Sequence, residues 1–147
     1  MSLERWLNLG WLTEHQTSFQ EIGDLLALVG RDLGDCRTSG LSADWRLAIA
    51  YNAALQAAKA ALAACGYRAS RESHHYRVIH SLELTLNAES DLVDQLDMFR
   101  RKRNAIEYDR AGMVSEQEVE EMIAVATEVE DRVKSWLRRN HPSLLEE

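Results

Sequence analysis

The single proline of the chain, Pro142, lies close to its end, so the long sequence before it contains no proline to interrupt a helix. Hydrophobic residues recur there at steps of three and four, which is the period of an amphipathic helix. Strand signals are nearly absent, because no short run is rich in β-branched and aromatic residues or alternates cleanly. These features predict an all-α fold, an up-and-down bundle of four or five antiparallel helices with short loops.

Capping residues and breaks in the pattern divide the chain into five helical segments. The second segment is alanine-rich and is expected to stop at Gly66, a helix C-cap residue. The last one opens with Ser115 and Glu118, which have the spacing of a capping box. The first two segments are residues 14–37 and 43–65. The third begins within residues 70–80 and ends at Asn87, and the last two are residues 90–112 and 115–139.

Length and composition indicate one ordinary globular domain, residues 1–147. A chain of this size can bury a core without metals or disulfides, and Cys36 and Cys65 are expected to be reduced core thiols. No stretch approaches the roughly 20 apolar residues of a membrane span. The N-terminal "MSLERWLNLGWLTEH" lacks the apolar core of a signal peptide. We therefore expect a cytoplasmic protein with no membrane partner.

Positive charge is concentrated in "FRRKRNAIEYDR", residues 99–110, although the whole chain has a formal net charge of -7. An acidic chain would need such a local patch to contact RNA or a nucleotide. Arg103 continues the apolar spacing of the segment and is expected to lie on or beside its apolar stripe. A planar guanidinium near the amide of Asn104 and the phenol of Tyr108 suits phosphate and base recognition.

Helix geometry limits how these three side chains can meet. Asn104 and Tyr108 share one face, whereas Arg103 is about 140° from Tyr108 on an ideal helix. A shared site would thus need a loosened helix end or a second subunit. A purely structural explanation is also open, because basic residues near a helix C-terminus favour the macrodipole and Arg103 could pair with Glu107 on the surface.

Two segments resemble the HEPN family (higher eukaryotes and prokaryotes nucleotide-binding domain). "AAKAALAACGYRASRESHHYRVIHSL" is similar to the alanine-rich helix, glycine stop and "SHH" restart of that family. "RRKRNAIEYD" is similar to its signature helix, in which Arg and a polar residue, often Asn, are followed after three residues by His. The resemblance covers about residues 14–140.

The resemblance implies a four- or five-helix bundle that forms two-fold dimers, with the signature residues meeting at a cleft between subunits. Many such proteins are metal-independent endoribonucleases, whereas others bind RNA or nucleotides without cleavage or accompany a small nucleotidyltransferase in toxin–antitoxin pairs. By position, Arg103 is the motif Arg and Asn104 its polar residue, and Tyr108 stands where the family has His. A phenol with a pKa of about 10 is a poor base at pH 7, so this change favours binding over cleavage.

We therefore expect a homodimer that binds RNA or a nucleotide phosphate at a dimer cleft, as part of a toxin–antitoxin or defence pair. Its protein partner would be a small nucleotidyltransferase or an antitoxin. The residues expected to bind are Arg100, Arg103, Asn104, Tyr108 and His75, with Arg103 and Tyr108 the catalytic candidates.

Two alternatives stay open. One is an active metal-independent endoribonuclease in which Arg103 stabilises the charged phosphorane and Tyr108 or His75 moves protons. The other is a protein-interaction adaptor with no nucleotide site, whose Trp6 and Trp11 dock on a partner rather than cap the end of the bundle. No cofactor and no metal site are expected, because the histidines at 74, 75 and 80 lack the i,i+4 spacing of helical metal ligands.

Overall fold

Helices make up nearly all of the regular structure in the computed structural model, which describes residues 1–108 and 113–146 and, for residues 106–108, the backbone alone. This confirms the predicted all-α bundle. The helices are α1 (Leu3–Asn8), α2 (Phe19–Asp35), α3 (Ala43–Ala64), α4 (His74–His80), α5 (Leu82–Thr85), α6 (Ser90–Tyr108) and α7 (Glu116–Asn140). Two short strands, β1 (Leu12–Glu14) and β2 (Tyr67–Ala69), and a 3-10 turn at Pro142–Leu144 complete the described elements.

Helix α3 is the centre of the bundle. It packs against α2 on one side and α7 on the other, and it also contacts α4, α5 and α6. Alanine side chains let these neighbours approach closely all round, and the fully buried alanines of α3 are Ala50, Ala53, Ala54, Ala57, Ala58, Ala60 and Ala61. By length and composition α3 could cross a membrane, but 67% of its most apolar window is buried inside the structure, as in the core helix of a bundle.

Several predicted boundaries are confirmed. Helix α3 ends at Ala64, and Gly66 adopts the left-handed conformation (φ 93°) that favours glycine after a helix. The capping box at the start of α7 is present: the backbone N–H of Glu118 donates to Ser115 Oγ at 3.1 Å, and Glu118 Oε1 accepts from the backbone N–H of Ser115 at 3.0 Å. Asn87 leaves the helical conformation at φ 55°. The predicted helix end at Gly112 lies outside the described residues.

Two boundaries were wrong. The first long helix begins at Phe19 rather than at residue 14, because Ser18 caps it by accepting the N–H of Glu21. The third helix is divided at Ser81, whose buried Oγ donates to the carbonyl of Val78 at 2.6 Å, a local bond that competes with continuous helical bonding. Each of these polar side chains changes the backbone hydrogen-bonding pattern at its own position.

A two-stranded antiparallel sheet was missed in the sequence. It pairs Leu12 with Ala69 and Glu14 with Tyr67. Strands of three residues are too short for their alternation to be read from the sequence. The pairing joins the N-terminal segment to the turn between α3 and α4, and so helps to position α4.

The two N-terminal tryptophans pack on the bundle. Trp6 is 6% exposed and meets Trp11 edge to face, with ring centroids 5.7 Å apart. The guanidinium of Arg77 on α4 lies 3.5 Å from the centroid of the Trp11 ring. Both tryptophans therefore pack against the rest of the chain and do not form a projecting arm, and their role in capping the end of the bundle stays a prediction. Among the cysteines, Cys36 is buried, and it and the half-buried Cys65 are both free.

Candidate functional site

Helices α4 and α6 pack against each other and against α3, and their contact brings together charged and aromatic side chains. We call this group the α4–α6 cluster. Its members are Tyr51 of α3, His75, Tyr76 and His80 of α4, and Asp97, Arg100 and Arg103 of α6.

The apolar face of α6 sets the position of its arginines. Leu92, Leu96 and Phe99 are buried in the core, and Arg100 and Arg103 follow them along the same helix. Both arginines are half-buried at the edge of this face, as the spacing predicts for Arg103. A guanidinium held there is partly desolvated, so its interaction with an anion is stronger than on an open surface.

Arg103 and His75 approach the same buried ring from two helices. The guanidinium carbon of Arg103 lies 5.9 Å from the centroid of the Tyr51 ring, and the His75 ring lies 6.1 Å from it. Tyr51 is 1% exposed, and its hydroxyl has no hydrogen-bond partner among the described residues. Burial raises the pKa of Tyr51, so the phenol stays protonated at neutral pH.

The protonation state of His75 follows from this environment. Burial lowers the pKa of His75, and the positive charge of Arg103 lowers it further. The imidazole is therefore neutral at pH 7. A neutral ring keeps one nitrogen able to accept a proton, which is what a general base requires.

One carboxylate, Asp97, holds three basic side chains. Its Oδ1 accepts a hydrogen bond from Arg100 Nε at 2.8 Å and lies 3.4 Å from His80 Nε2. Its Oδ2 lies 3.3 Å from Arg101 Nε. Burial acts to raise the pKa of Asp97, but the hydrogen bond and charge of Arg100, with His80, bring it below the ordinary value. Asp97 is thus ionised at neutral pH and fixes the orientation of Arg100.

An aromatic ring stands beside this ion pair. Tyr76 stacks on His80 with ring centroids 4.0 Å apart and planes 27° from parallel. The guanidinium carbon of Arg100 lies 5.4 Å from the Tyr76 centroid. Tyr76 is 36% exposed, so the cluster presents an aromatic side chain as well as guanidinium groups to solvent.

The structure brings three of the predicted residues, Arg100, Arg103 and His75, into one cluster. Asn104 follows on α6 and is half-buried. The side chain of Tyr108 lies outside the described residues, as does that of Glu107. The grouping of Arg103 with Asn104 and Tyr108, and the pairing of Arg103 with Glu107, therefore stay predictions.

Sequence reasoning missed Tyr51, Tyr76 and Asp97. A local signal existed for Asp97, because it stands three and four residues before Arg100 and Arg101, the spacing of helical ion pairs. Tyr51 is the only aromatic residue of "AYNAALQAAKAALAAC", but its contact with His75 depends on how α3 and α4 pack. Within residues 1–108 and 113–146, no three His, Cys, Asp or Glu side chains converge as metal ligands would.

The comparisons with known proteins address the family of the chain. The family model of the HEPN domain matches residues 38–136, which is more than half of the sequence. This range contains the entire α4–α6 cluster and the "RRKRNAIEYD" segment, and it confirms the resemblance derived from those residues. No curated protein matches the chain.

Proposed function

The chain belongs to the HEPN domain family, and from that premise we propose that it binds RNA or a nucleotide phosphate at the α4–α6 cluster. Family membership points to a function related to RNA or nucleotides. The observation that carries the proposal is the convergence of Arg103 and His75 on the Tyr51 ring, with Arg100 held beside them by Asp97. Asn104 and Tyr108 are proposed to complete the site.

Charge is the first support for phosphate binding. The chain is acidic overall, and residues 99–110 contain five of its seventeen basic residues and only two acidic ones. Arginine presents a planar set of N–H donors that matches two phosphate oxygens at once. Arg103, half-buried against Tyr51, is the side chain best placed for such a contact, while Arg100 would exchange part of its bond to Asp97 for one to phosphate.

The aromatic side chain supports RNA as the source of the phosphate. Single-stranded RNA is commonly bound by stacking its bases on aromatic rings next to basic groups. Tyr76 offers such a ring next to Arg100, and it is held in place by stacking on His80. A base on Tyr76 and a phosphate on Arg100 would be one nucleotide apart or less.

A homodimer is the proposed form of the binding protein. Arg100, Arg103 and His75 are half-buried in a single copy, so the cluster reaches the surface of the subunit. A second copy facing it would turn this surface into a cleft and could supply the predicted contribution of Tyr108. A small nucleotidyltransferase or an antitoxin, in a toxin–antitoxin or defence pair, remains the proposed protein partner. Sedimentation velocity of the purified chain tests the dimer directly.

A second candidate function is metal-independent RNA cleavage. The observation that favours it is the lowered pKa of His75, which leaves a neutral imidazole beside Arg103. As a general base, His75 would take the proton of a ribose 2'-OH while its oxygen forms a bond to phosphorus and the bond to the 5'-oxygen breaks. Arg103 would stabilise the charged phosphorane, and the 5'-oxygen would take up a proton as it leaves.

Incubation with a mixed single-stranded RNA pool in EDTA separates these functions. Wild type is compared with Arg103→Ala and with Arg139→Ala, a control that removes an exposed arginine near the end of α7. A band shift without cleavage, lost in Arg103→Ala and kept in Arg139→Ala, supports the binding function. Cleavage that follows the same pattern supports the ribonuclease. Equal behaviour of the two variants would reject both functions at this site.

A further inference from the structure

We propose that a cavity of about 200 Å³ between α2, α3, β2 and α4 is a second anion site, separate from the α4–α6 cluster, which binds a small phosphate. The phosphate would be inorganic phosphate or the phosphoryl group of a small monoester. The basic side chains that line the cavity are Lys59 of α3, Arg68 of β2, His74 of α4 and His15, which precedes α2. The inference does not depend on the function proposed for Arg103.

Cationic side chains outnumber carboxylates in the lining of this cavity. Neither Lys59 nor Arg68 has an ion-pair partner within the described part of the chain. Among the described lining residues the single carboxylate is that of Glu21, and its negative charge interacts with Arg68. Its Oε1 accepts from Thr17 Oγ1 at 2.6 Å and lies 2.8 Å from His15 Nε2. The lining therefore carries two cationic side chains, Lys59 and Arg68, against the one carboxylate of Glu21, and Arg68 is itself exposed.

Lys59 is in an unfavourable position without an anion. Its side chain emerges from the core helix and is half-buried. Burial lowers the pKa of Lys59, and the charge of Arg68 lowers it further. Partial burial of a charge costs free energy of desolvation, which pairing with an anion would offset. A bound anion would supply a partner for Lys59, and the exposed Arg68 would add a second contact.

The volume of the cavity and its hydrogen-bond donors indicate which class of ligand it could bind. The cavity is smaller than the roughly 300–1,000 Å³ of sites for drug-sized ligands, so it would hold a compact anion rather than a whole nucleotide. The Lys59 ammonium and the Arg68 guanidinium together present several N–H donors, enough for the oxygens of a phosphate. One part of the wall is apolar and is formed by Leu25, Leu62 and Val78, whereas Gln56 and Tyr67 add polar groups.

Two adjacent histidines of α4 belong to different sites. His74 lines the cavity, whereas His75 faces Tyr51, and the two imidazole rings lie 6.0 Å apart. Burial lowers the pKa of His74, with the charge of Lys59 acting in the same direction, so His74 adds no positive charge of its own at pH 7. Lys59 and Arg68 would provide the positive charge for the anion, against the negative charge of Glu21.

A nuclear magnetic resonance titration with sodium phosphate, at pH 7 and constant ionic strength, tests the site. Wild type is compared with Lys59→Met, which keeps the length of the side chain, and with Lys134→Met. Lys134 lies on α7 and pairs with Glu130 at 3.2 Å, away from the cavity lining. We expect saturable shifts of backbone amides in β2 and at the start of α4. Lys59→Met should weaken binding about tenfold or more, the loss expected for a hydrogen bond to a charged group, and Lys134→Met should leave it unchanged.

Parallel titrations define the ligand and the independence of the site. A small phosphate monoester that binds like phosphate identifies a phosphoryl site, whereas binding of phosphate alone identifies a site for the free ion. Arg103→Ala should retain the phosphate shifts in β2, so loss of RNA binding and loss of this site are distinguishable. The same shifts with sodium acetate or sodium chloride would overturn the proposal, as would full retention of phosphate binding in Lys59→Met.

Discussion

Asp97→Asn removes the negative charge at the point where three basic side chains meet, and it tests the electrostatic account of the cluster. In the wild type, Asp97 accepts a 2.8 Å hydrogen bond from Arg100 and lies within ion-pair distance of His80 and Arg101. Asparagine has nearly the same shape and keeps one oxygen acceptor. The difference between the two proteins is therefore mainly one of charge.

The loss of stability expected for Asp97→Asn depends on how far the side chains of Asp97 and Arg100 are buried. The side chains of Asp97 and Arg100 are 13% and 19% exposed, so solvent screens their interaction only in part. A hydrogen bond between charged groups is worth about 1.5–3 kcal/mol, and solvent screening and the acceptor retained by asparagine bring our expectation to about 1–2 kcal/mol. At roughly 2–4 °C per kcal/mol for a domain near this size, the melting temperature should fall by about 2–8 °C.

The stabilisation that Asp97 gives the folded protein should decrease at low pH. The pKa of Asp97 in the folded protein lies below the ordinary value of 3.8, so ionised Asp97 stabilises the folded state. This stabilisation is complete above the ordinary value and is lost as pH falls through the lower, folded-state pKa. Urea unfolding should show a constant difference between wild type and Asp97→Asn from pH 7 to about pH 5, which narrows below about pH 4.

The control is Asp94→Asn, on the same helix one turn earlier. Asp94 is exposed and has no ion pair among the described residues, so its replacement should change the free energy of unfolding little. If Asp97→Asn and Asp94→Asn behave alike, or if the effect of Asp97→Asn persists unchanged down to pH 3, the proposed ion-pair network does not hold Arg100.

Three further predictions concern stability and use urea unfolding at pH 7. Tyr51→Phe removes a buried hydroxyl with no hydrogen-bond partner among the described residues, so stability should be unchanged or higher; a loss above about 1 kcal/mol would reveal a partner. Leu47→Ala creates a cavity at a fully buried position of α3 and should cost about 2–5 kcal/mol; a smaller loss would mean that the core relaxes around it. Ser115→Ala removes the α7 N-cap and should cost about 0.5–2 kcal/mol, with Ser143→Ala as an exposed control; equal effects would contradict the capping box.

Local patterns made much of the fold predictable. The alanine-rich run with Gly66 after it marks α3, and the spacing of Ser115 and Glu118 marks the start of α7, because propensity and capping act within a few residues. The missed features arise from tertiary contacts or single polar bonds. The β1–β2 pairing joins segments more than fifty residues apart, and the division at Ser81 depends on one hydroxyl that bonds backward to Val78.

The candidate site also has a part that the sequence predicts and a part that depends on tertiary packing. Arg100 and Arg103 are found from charge and helical spacing, which are local properties of α6. The approach of His75 and Arg103 to Tyr51 requires three helices to pack, and no sequence period encodes it. The same reason hides the cavity at Lys59, because its lining comes from elements separated along the chain.

Photo-crosslinking tests most directly whether RNA binds at the α4–α6 cluster. Single-stranded RNA that carries 4-thiouridine is irradiated with the full chain, and the crosslinked peptides are identified by mass spectrometry. We predict crosslinks within residues 74–80, which contain the partly exposed Tyr76, and within residues 97–104, all reduced in Arg103→Ala and retained in Arg139→Ala. Crosslinks confined to other parts of the chain, or equal yields from the two variants, would contradict the proposed site.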